Sequence, residues 1–282
     1  MIAAGGGAWF VLRPVSDTVS LPEAAAPVPG PSEGPPALAV PRFALRDRAA
    51  ILAWQPEVPT LARFAERPSV FLLALPDLGT QGRMLNRMAA LVEKARAPRD
   101  RVLTDRELAA AIAADNERPE TYYYGHNYAL ADMERFFAMA ASGDIALNAE
   151  ERWLLAQMPA IRAAGGTGPL ALISLPNEGP DFDADSRRSV LEHEFGHGVF
   201  STDPAYAAQV IRVWREVFTT AERAAFRAFL SREGYDTANE TLMANEAYAY
   251  LLHTPDRRFF EPRRDVALDD VAVERLRAAL RR

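Results

Sequence analysis

The chain of 282 residues contains no cysteine. That excludes disulfides and thiolate ligands, so a metal site here must be built from histidine and carboxylate side chains. Histidine is scarce as well, with four residues in all, at positions 126, 193, 197 and 253. Lysine is rarer still: Lys94 stands alone among 32 Lys and Arg residues, a bias read as genome composition rather than function. The net charge of −6 argues against a nucleic-acid partner, because phosphate binding calls for a basic face. The apolar run from Ile2 to Leu12 falls short of the roughly 20 residues that cross a bilayer.

What is present is ordinary for a folded domain. Hydrophobic residues make up 49% and charged residues 25%, and a chain of this length buries a sizeable core. Residues 1–13 resemble the apolar part of a signal peptide or anchor without its basic leader, which a start upstream of Met1 would supply. Residues 14–41 are rich in Pro, Ala and Gly (APVPGPSEGPPALAVP), a composition that makes an extended linker rather than a core. An apolar start, a Pro-rich stalk and then a domain predict a cell-envelope protein, periplasmic or tethered to the membrane at its N-terminus; the alternative is a cytoplasmic one.

The globular part is expected over residues 42–282, with 42–127 as a possible separate subdomain. Apolar runs predict strands at Ser69–Leu75 (SVFLLAL) and Leu170–Leu175 (LALISL). Helical spacing predicts helices over Thr80–Ala97, Asp105–Ala114, Ala129–Ala141, Asn148–Ala164, Asp185–Phe200, Pro204–Thr219, Ala221–Arg232, Asn239–His253 and Asp269–Arg281. Several carry capping signals, such as Thr104 followed by Glu107, and Asn148. Few strands among many helices define an α+β, helix-rich class.

Within RRSVLEHEFGHGVF lies His193-Glu194-Phe195-Gly196-His197, a full H-E-x-x-H. On a helix, residues four apart share a face, so the two imidazoles can grip one ion. Glu194 is rotated towards the open position, where a glutamate takes a proton from water that zinc has acidified. The bland alternative is an exposed helix with two casual histidines. Gly196 lets another element approach closely, and Gly198 is placed to end or bend the helix.

A catalytic zinc needs a third protein ligand. Glu246 is the leading candidate, a carboxylate in a helix otherwise rich in Ala, Tyr and Leu (ETLMANEAYAYLLH), where it needs a partner. Glu240, on the same helix, reads better as a carboxylate favoured by the helix N-terminus. The two segments together resemble the gluzincin metallopeptidases, the thermolysin-like group, in which a glutamate on a later helix, often within N-E-x-x-A, completes the site. Asn245-Glu246-Ala247-Tyr248-Ala249 fits that pattern. The resemblance covers about residues 186–253 and implies a zincin-like domain with a short sheet, an active-site helix, zinc as cofactor and a peptide or protein as substrate. It departs from the group at Tyr250, where an acidic residue would orient a zinc histidine.

Asp203 is the rival third ligand, six residues after His197, where metzincins place theirs. Metzincins also need a glycine at the position held here by Phe200, and Asp203-Pro204 reads well as a helix cap and first turn. For the donor that stabilises the oxyanion, the candidates are His253, Tyr250, His126 and Tyr122–Tyr124. His253 lies two turns beyond Glu246 on nearly the same face, although a histidine in a last turn is also simply favoured by the dipole. By the same resemblance, LALISL would be the sheet edge that pairs with extended substrate; otherwise it is a core strand. The sequence thus predicts a zinc metallopeptidase with His193, His197 and Glu246 as ligands and Glu194 and His253 as catalytic residues. A non-catalytic zinc-binding interaction domain and a zinc hydrolase of a non-peptide amide stay open beside it.

Overall fold

The computed structural model describes residues 43–281. The apolar segment 1–13 and the linker 14–41 lie outside the described residues.

Five strands build one mixed sheet: β1 (Leu45–Arg46), β2 (Thr60–Phe64), β3 (Val70–Leu75), β4 (His126–Ala129) and β5 (Ala171–Pro176), in the order β1-β2-β3-β5-β4. Around it stand helices α1 (Arg48–Leu52), α2 (Leu78–Val92), α3 (Asp105–Ala114), α4 (Leu130–Ser142), α5 (Ala149–Gly165), α6 (Ala184–Thr202), α7 (Pro204–Glu216), α8 (Thr220–Arg232), α9 (Glu240–His253), α10 (Pro262–Asp265) and α11 (Asp270–Leu280). The class is α+β. Among the described residues, no helix is long and apolar enough to cross a membrane.

The two apolar runs became the sheet's centre. Every residue of β3 and β5 is buried, and they pair in parallel from Val70↔Ala171 to Leu75↔Pro176. Strands covered on both faces read as continuous apolar runs rather than alternating ones. Side chains nevertheless alternate. Phe71, Leu73 and Leu75 face α2, α4 and α5 through Met84, Phe136 and Leu154. Val70, Leu72 and Ala74 face the other way, onto Val190, Leu191 and Phe195 of α6. Each such side chain, fully buried, contributes about 1.5–3 kcal/mol, and together they clamp α6 to the sheet. A third cluster joins α7, α8, α9 and α11 around Trp214, Phe226, Tyr248 and Leu276.

Four expectations need correction. LALISL is no edge: β3 pairs with one side of β5 and β4 pairs antiparallel with the other, from His126↔Ser174 to Ala129↔Ala171. The end of the sheet on that side is β4, within the aromatic segment that gave no strand signal in four residues. The segment expected at 42–127 as a possible separate subdomain is joined to the rest, because β3 is hydrogen-bonded to β5 along its whole length and the described residues belong to one unit. The helix expected to reach Ala97 stops at Val92, and Lys94 pairs instead with Tyr235. Gly198 does not end α6, which runs on to Thr202. A Cβ at Gly198 would lie 2.8 Å from Val70 Cγ1, so its glycine serves the close approach of α6 to β3.

Candidate metal centre

Helix α6 begins at Asp183, whose Oδ1 accepts from Ser186 N–H at 2.8 Å. One turn on, the buried Arg187 donates to the carbonyls of Leu52 (2.6 Å), Trp54 (2.8 Å) and Pro176 (3.0 Å). These bonds fasten the start of α6 to α1 and β5. The helix is buried on two sides, by the sheet and by α9, so it has no simple amphipathic stripe. On the α9 side, a Cβ at Gly196 would fall 2.8 Å from the His253 ring. Glycine there lets the two helices cross at close range.

That crossing brings three ligand atoms together. His193 Nε2 and His197 Nε2 are 3.0 Å apart. Glu246 Oε1 lies 3.5 Å from His197 Nε2, and Oε2 lies 3.8 Å from His193 Nε2. Tetrahedral zinc with bonds near 2.0–2.2 Å holds its ligand atoms about 3.3 Å apart, so the spacing suits one small cation. The donor set of two imidazoles and one carboxylate suits zinc. The burial suits it too. Glu246 is 2% exposed, and its Oε2 has no hydrogen-bond partner among the described residues. A buried carboxylate oxygen left unpaired costs free energy that a cation relieves.

The surroundings point the imidazoles inward. His193 Nδ1 lies 2.8 Å from Thr254 Oγ1, and that hydroxyl donates its own proton to Ala249 O at 3.1 Å. It can therefore only accept from His193, which puts the ring proton on Nδ1 and leaves the Nε2 lone pair facing the site. The Tyr250 ring, where the gluzincin group has its orienting carboxylate, packs edge-on against His193 at 4.9 Å. Burial, together with His197 and His253, holds the His193 pKa well below its ordinary value. His197 goes the other way. Burial pulls its pKa down, but the Glu246 carboxylate outweighs it, with Glu194 and Asn245 adding to it, and the pKa rises to about 9. In the metal-free protein, a proton holds part of the place a cation would take.

Glu194 stands beside these ligands and is 6% exposed. Burial pushes its pKa up to about 7. Asn127 Nδ2, on β4, donates to its Oε2 at 3.2 Å. Gly125 lies closer still, since a Cβ there would meet Glu194 Oε1 at 2.5 Å. The Tyr122–Asn127 segment thus passes directly over the carboxylate. Gln81, on α2, holds that segment, its Nε2 donating to the carbonyls of Tyr123 (3.2 Å) and Tyr124 (3.1 Å) while its Oε1 accepts from Ser174 Oγ (2.8 Å). Sequence reasoning marked the aromatic cluster but missed Gly125, Asn127, Gln81 and Thr254. The adjacency of a glycine and an asparagine after three tyrosines was the one available signal. It also missed Glu93, a buried carboxylate whose pKa is pushed up to about 8 by burial and by Glu246 and Glu194.

The remaining candidates lie elsewhere. Asp203 caps α7, accepting from Tyr206 N–H at 3.0 Å, and pairs with Arg67 at 3.2 Å. Glu240 accepts from the Trp214 indole at 2.9 Å and pairs with Arg227. His126 is buried on the inner side of β4, 3.4 Å from Ser174 Oγ, and burial lowers its pKa to about 3. His253 packs on Gly196 and against Tyr248, with ring centres 5.0 Å apart, and it does not line the cavity that opens on the site. That cavity, of about 880 Å³, is bordered by His193, Glu194, Tyr123, Gly125, Tyr235 and Tyr250 among others. Tyr123, Tyr235 and Tyr250 line that cavity, and His253 does not. No protein-family model, curated protein or solved structure matches the chain.

Proposed function

We propose that the protein is a zinc-dependent hydrolase of the zincin kind that cleaves peptide bonds. One observation carries the reading: a buried carboxylate oxygen without a partner, converging with two imidazoles, next to a second carboxylate held separately. His193, His197 and Glu246 would hold the ion. When bound, zinc supplies a Lewis acid that acidifies water and polarises a carbonyl.

The chain's own residues do the rest. Asn127 and the backbone at Gly125 keep Glu194 in one place. As general base, Glu194 takes a proton from the attacking water and then delivers it to the leaving amine. A pKa near neutrality, raised by burial, suits a group that must both accept and return a proton. Tyr250 and Tyr235 stand at the cavity wall as hydroxyl donors for the oxyanion. Strand β4, at the end of the sheet and antiparallel to β5, offers backbone groups with which an extended peptide can pair. That pairing, and the resemblance of α6 and α9 to gluzincins, favour a peptide over another amide.

The test is Glu194→Gln in the zinc-loaded protein. We expect one bound zinc by elemental analysis and a loss of peptide-library cleavage by about 10²–10⁴-fold. Cleavage at the parental rate would remove Glu194 from the mechanism. Zinc retained in a wild-type protein that cleaves nothing would favour the interaction domain.

A further inference from the structure

An isolated β-bridge stands in the wall of the cavity beside the candidate metal centre. Lys94 pairs antiparallel with Tyr235. Ala95 N–H donates to Gly234 O at 3.2 Å, and Asp236 N–H donates to Glu93 O at 3.0 Å. Residues on both sides of this bridge line the cavity. The bridge joins the end of α2 to the loop before α9.

The only lysine of the chain stands there. Its Nζ lies 4.2 Å from the Tyr122 ring centre and 4.7 Å from that of Tyr123. Among the described residues, its one hydrogen bond goes to Glu233 O at 3.3 Å. The neighbouring cations are engaged, Arg96 with Asp115 at 3.3 Å and Arg118 with Asp181 at 2.9 Å. Among the described residues, Lys94 has no carboxylate within the 4.0 Å of an ion pair. An ammonium carries three donors, so two remain for a visitor. Four carboxylates lie around it, those of Asp115, Glu93, Glu117 and Glu233, and none of them comes within ion-pair distance. Asp115 also accepts from Tyr122 Oη at 3.1 Å, and burial raises the pKa of both Glu93 and Glu233. Room for the ammonium depends on Gly234, where a Cβ would sit 2.9 Å from Nζ.

We propose that Lys94 anchors the free C-terminal carboxylate of a peptide, so that the enzyme takes its substrates by that end. The proposal rests on the peptidase reading of the metal site. Arginine would clamp a carboxylate as a planar fork, whereas lysine meets it as a compact charge on a flexible stem. Cation–π contact with Tyr122 and Tyr123 holds the ammonium at the wall without neutralising it, as an ion pair would.

Binding is measured by calorimetry in zinc-loaded Glu194→Gln protein, which separates affinity from turnover. The probes are short N-acetylated peptides of one sequence, as the free acid and as the C-terminal amide. We expect the acid to bind roughly tenfold more tightly or better. In the same background, Lys94→Met should bring the two to equal affinity with zinc content unchanged, and Lys94→Arg should keep a preference for the acid. Lys94→Gln serves in place of Lys94→Met if the latter melts at a lower temperature. Equal affinities before Lys94 is altered, no binding of either peptide, or a preference that survives loss of the charge would each overturn the anchor. Hydrolysis by the wild type is scored apart. Cleavage of acid and amide alike, with equal affinities, sinks the anchor and leaves the peptidase. Selective binding of the acid without cleavage of either sinks the peptidase and leaves a carboxylate-anchored binding site.

Discussion

Two parts of the cavity's surroundings treat charge in opposite ways. At the candidate metal centre, Glu246 Oε2 and His197 Nδ1 are buried without hydrogen-bond partners among the described residues, and two imidazoles point at one carboxylate. At the bridge, the Lys94 ammonium lies against two aromatic rings without an ion pair among the described residues, while Arg96 and Arg118 are paired with Asp115 and Asp181. Unpaired buried groups are costly, so a fold keeps them where a ligand settles the cost on binding. The first holds a carboxylate oxygen without a partner, and the second holds an ammonium without an ion pair. A substrate that carries its own negative end and meets a cation at its scissile carbonyl complements both.

The comparison breaks most sharply at Glu246. Glu246→Ala removes the one carboxylate that, among the described residues, reaches both imidazoles. Elemental analysis should show zinc falling from one equivalent to near none, and hydrolysis should vanish with it. Retention of a full equivalent would shift the third ligand to another residue. Gly125→Ala comes next. Its methyl would be driven into Glu194 Oε1, 2.5 Å away, so kcat should fall by about 10²-fold, the scale of general-base catalysis, while zinc content stays the same. An unchanged kcat would show that the Tyr122–Asn127 segment does not fix Glu194.

Acidity tests the candidate metal centre from another direction. The folded-state pKa of metal-free His197 is raised to about 9, so at pH 7 this ligand carries a proton that zinc must displace. Affinity should therefore strengthen as pH rises towards about 9 and weaken as pH falls, by up to about tenfold per pH unit. Chelator competition between pH 6 and 9 reads the slope, and a flat profile would contradict the Glu246–His197 coupling. The smallest effect is expected at Asp203. Asp203→Ala removes a helix cap worth about 1 kcal/mol, which should lower the melting temperature slightly and leave zinc content and turnover as they were.

Much of this was legible in the chain. Thr104 with Glu107 and Asn148 with Glu151 form the reciprocal caps their spacing announces, because a capping box closes within four residues. The buried strands β3 and β5 were visible as apolar runs. Strand β4 was not, because four residues with a histidine and an asparagine carry no periodic signal, and its place depends on pairing with β5. The role expected for LALISL failed for the same reason, since which strand lies at an edge depends on partners distant in sequence.

By itself, the sequence determined that His193 and His197 share a face and that Glu194 stands beside them, because one helical turn is a local property. It also determined that cysteine has no part in the site. Only the tertiary structure brought Glu246, rather than Asp203 or Glu240, to the imidazoles. It alone laid Gly125 and Asn127 over Glu194, packed His253 on Gly196 away from the cavity, and gave the solitary lysine a place in the cavity wall. These depend on the crossing of α6 with α9, on the pairing of β4 with β5 and, for Lys94, on its bridge to Tyr235. Such contacts join segments far apart in the chain, where no local periodicity records the distance between them.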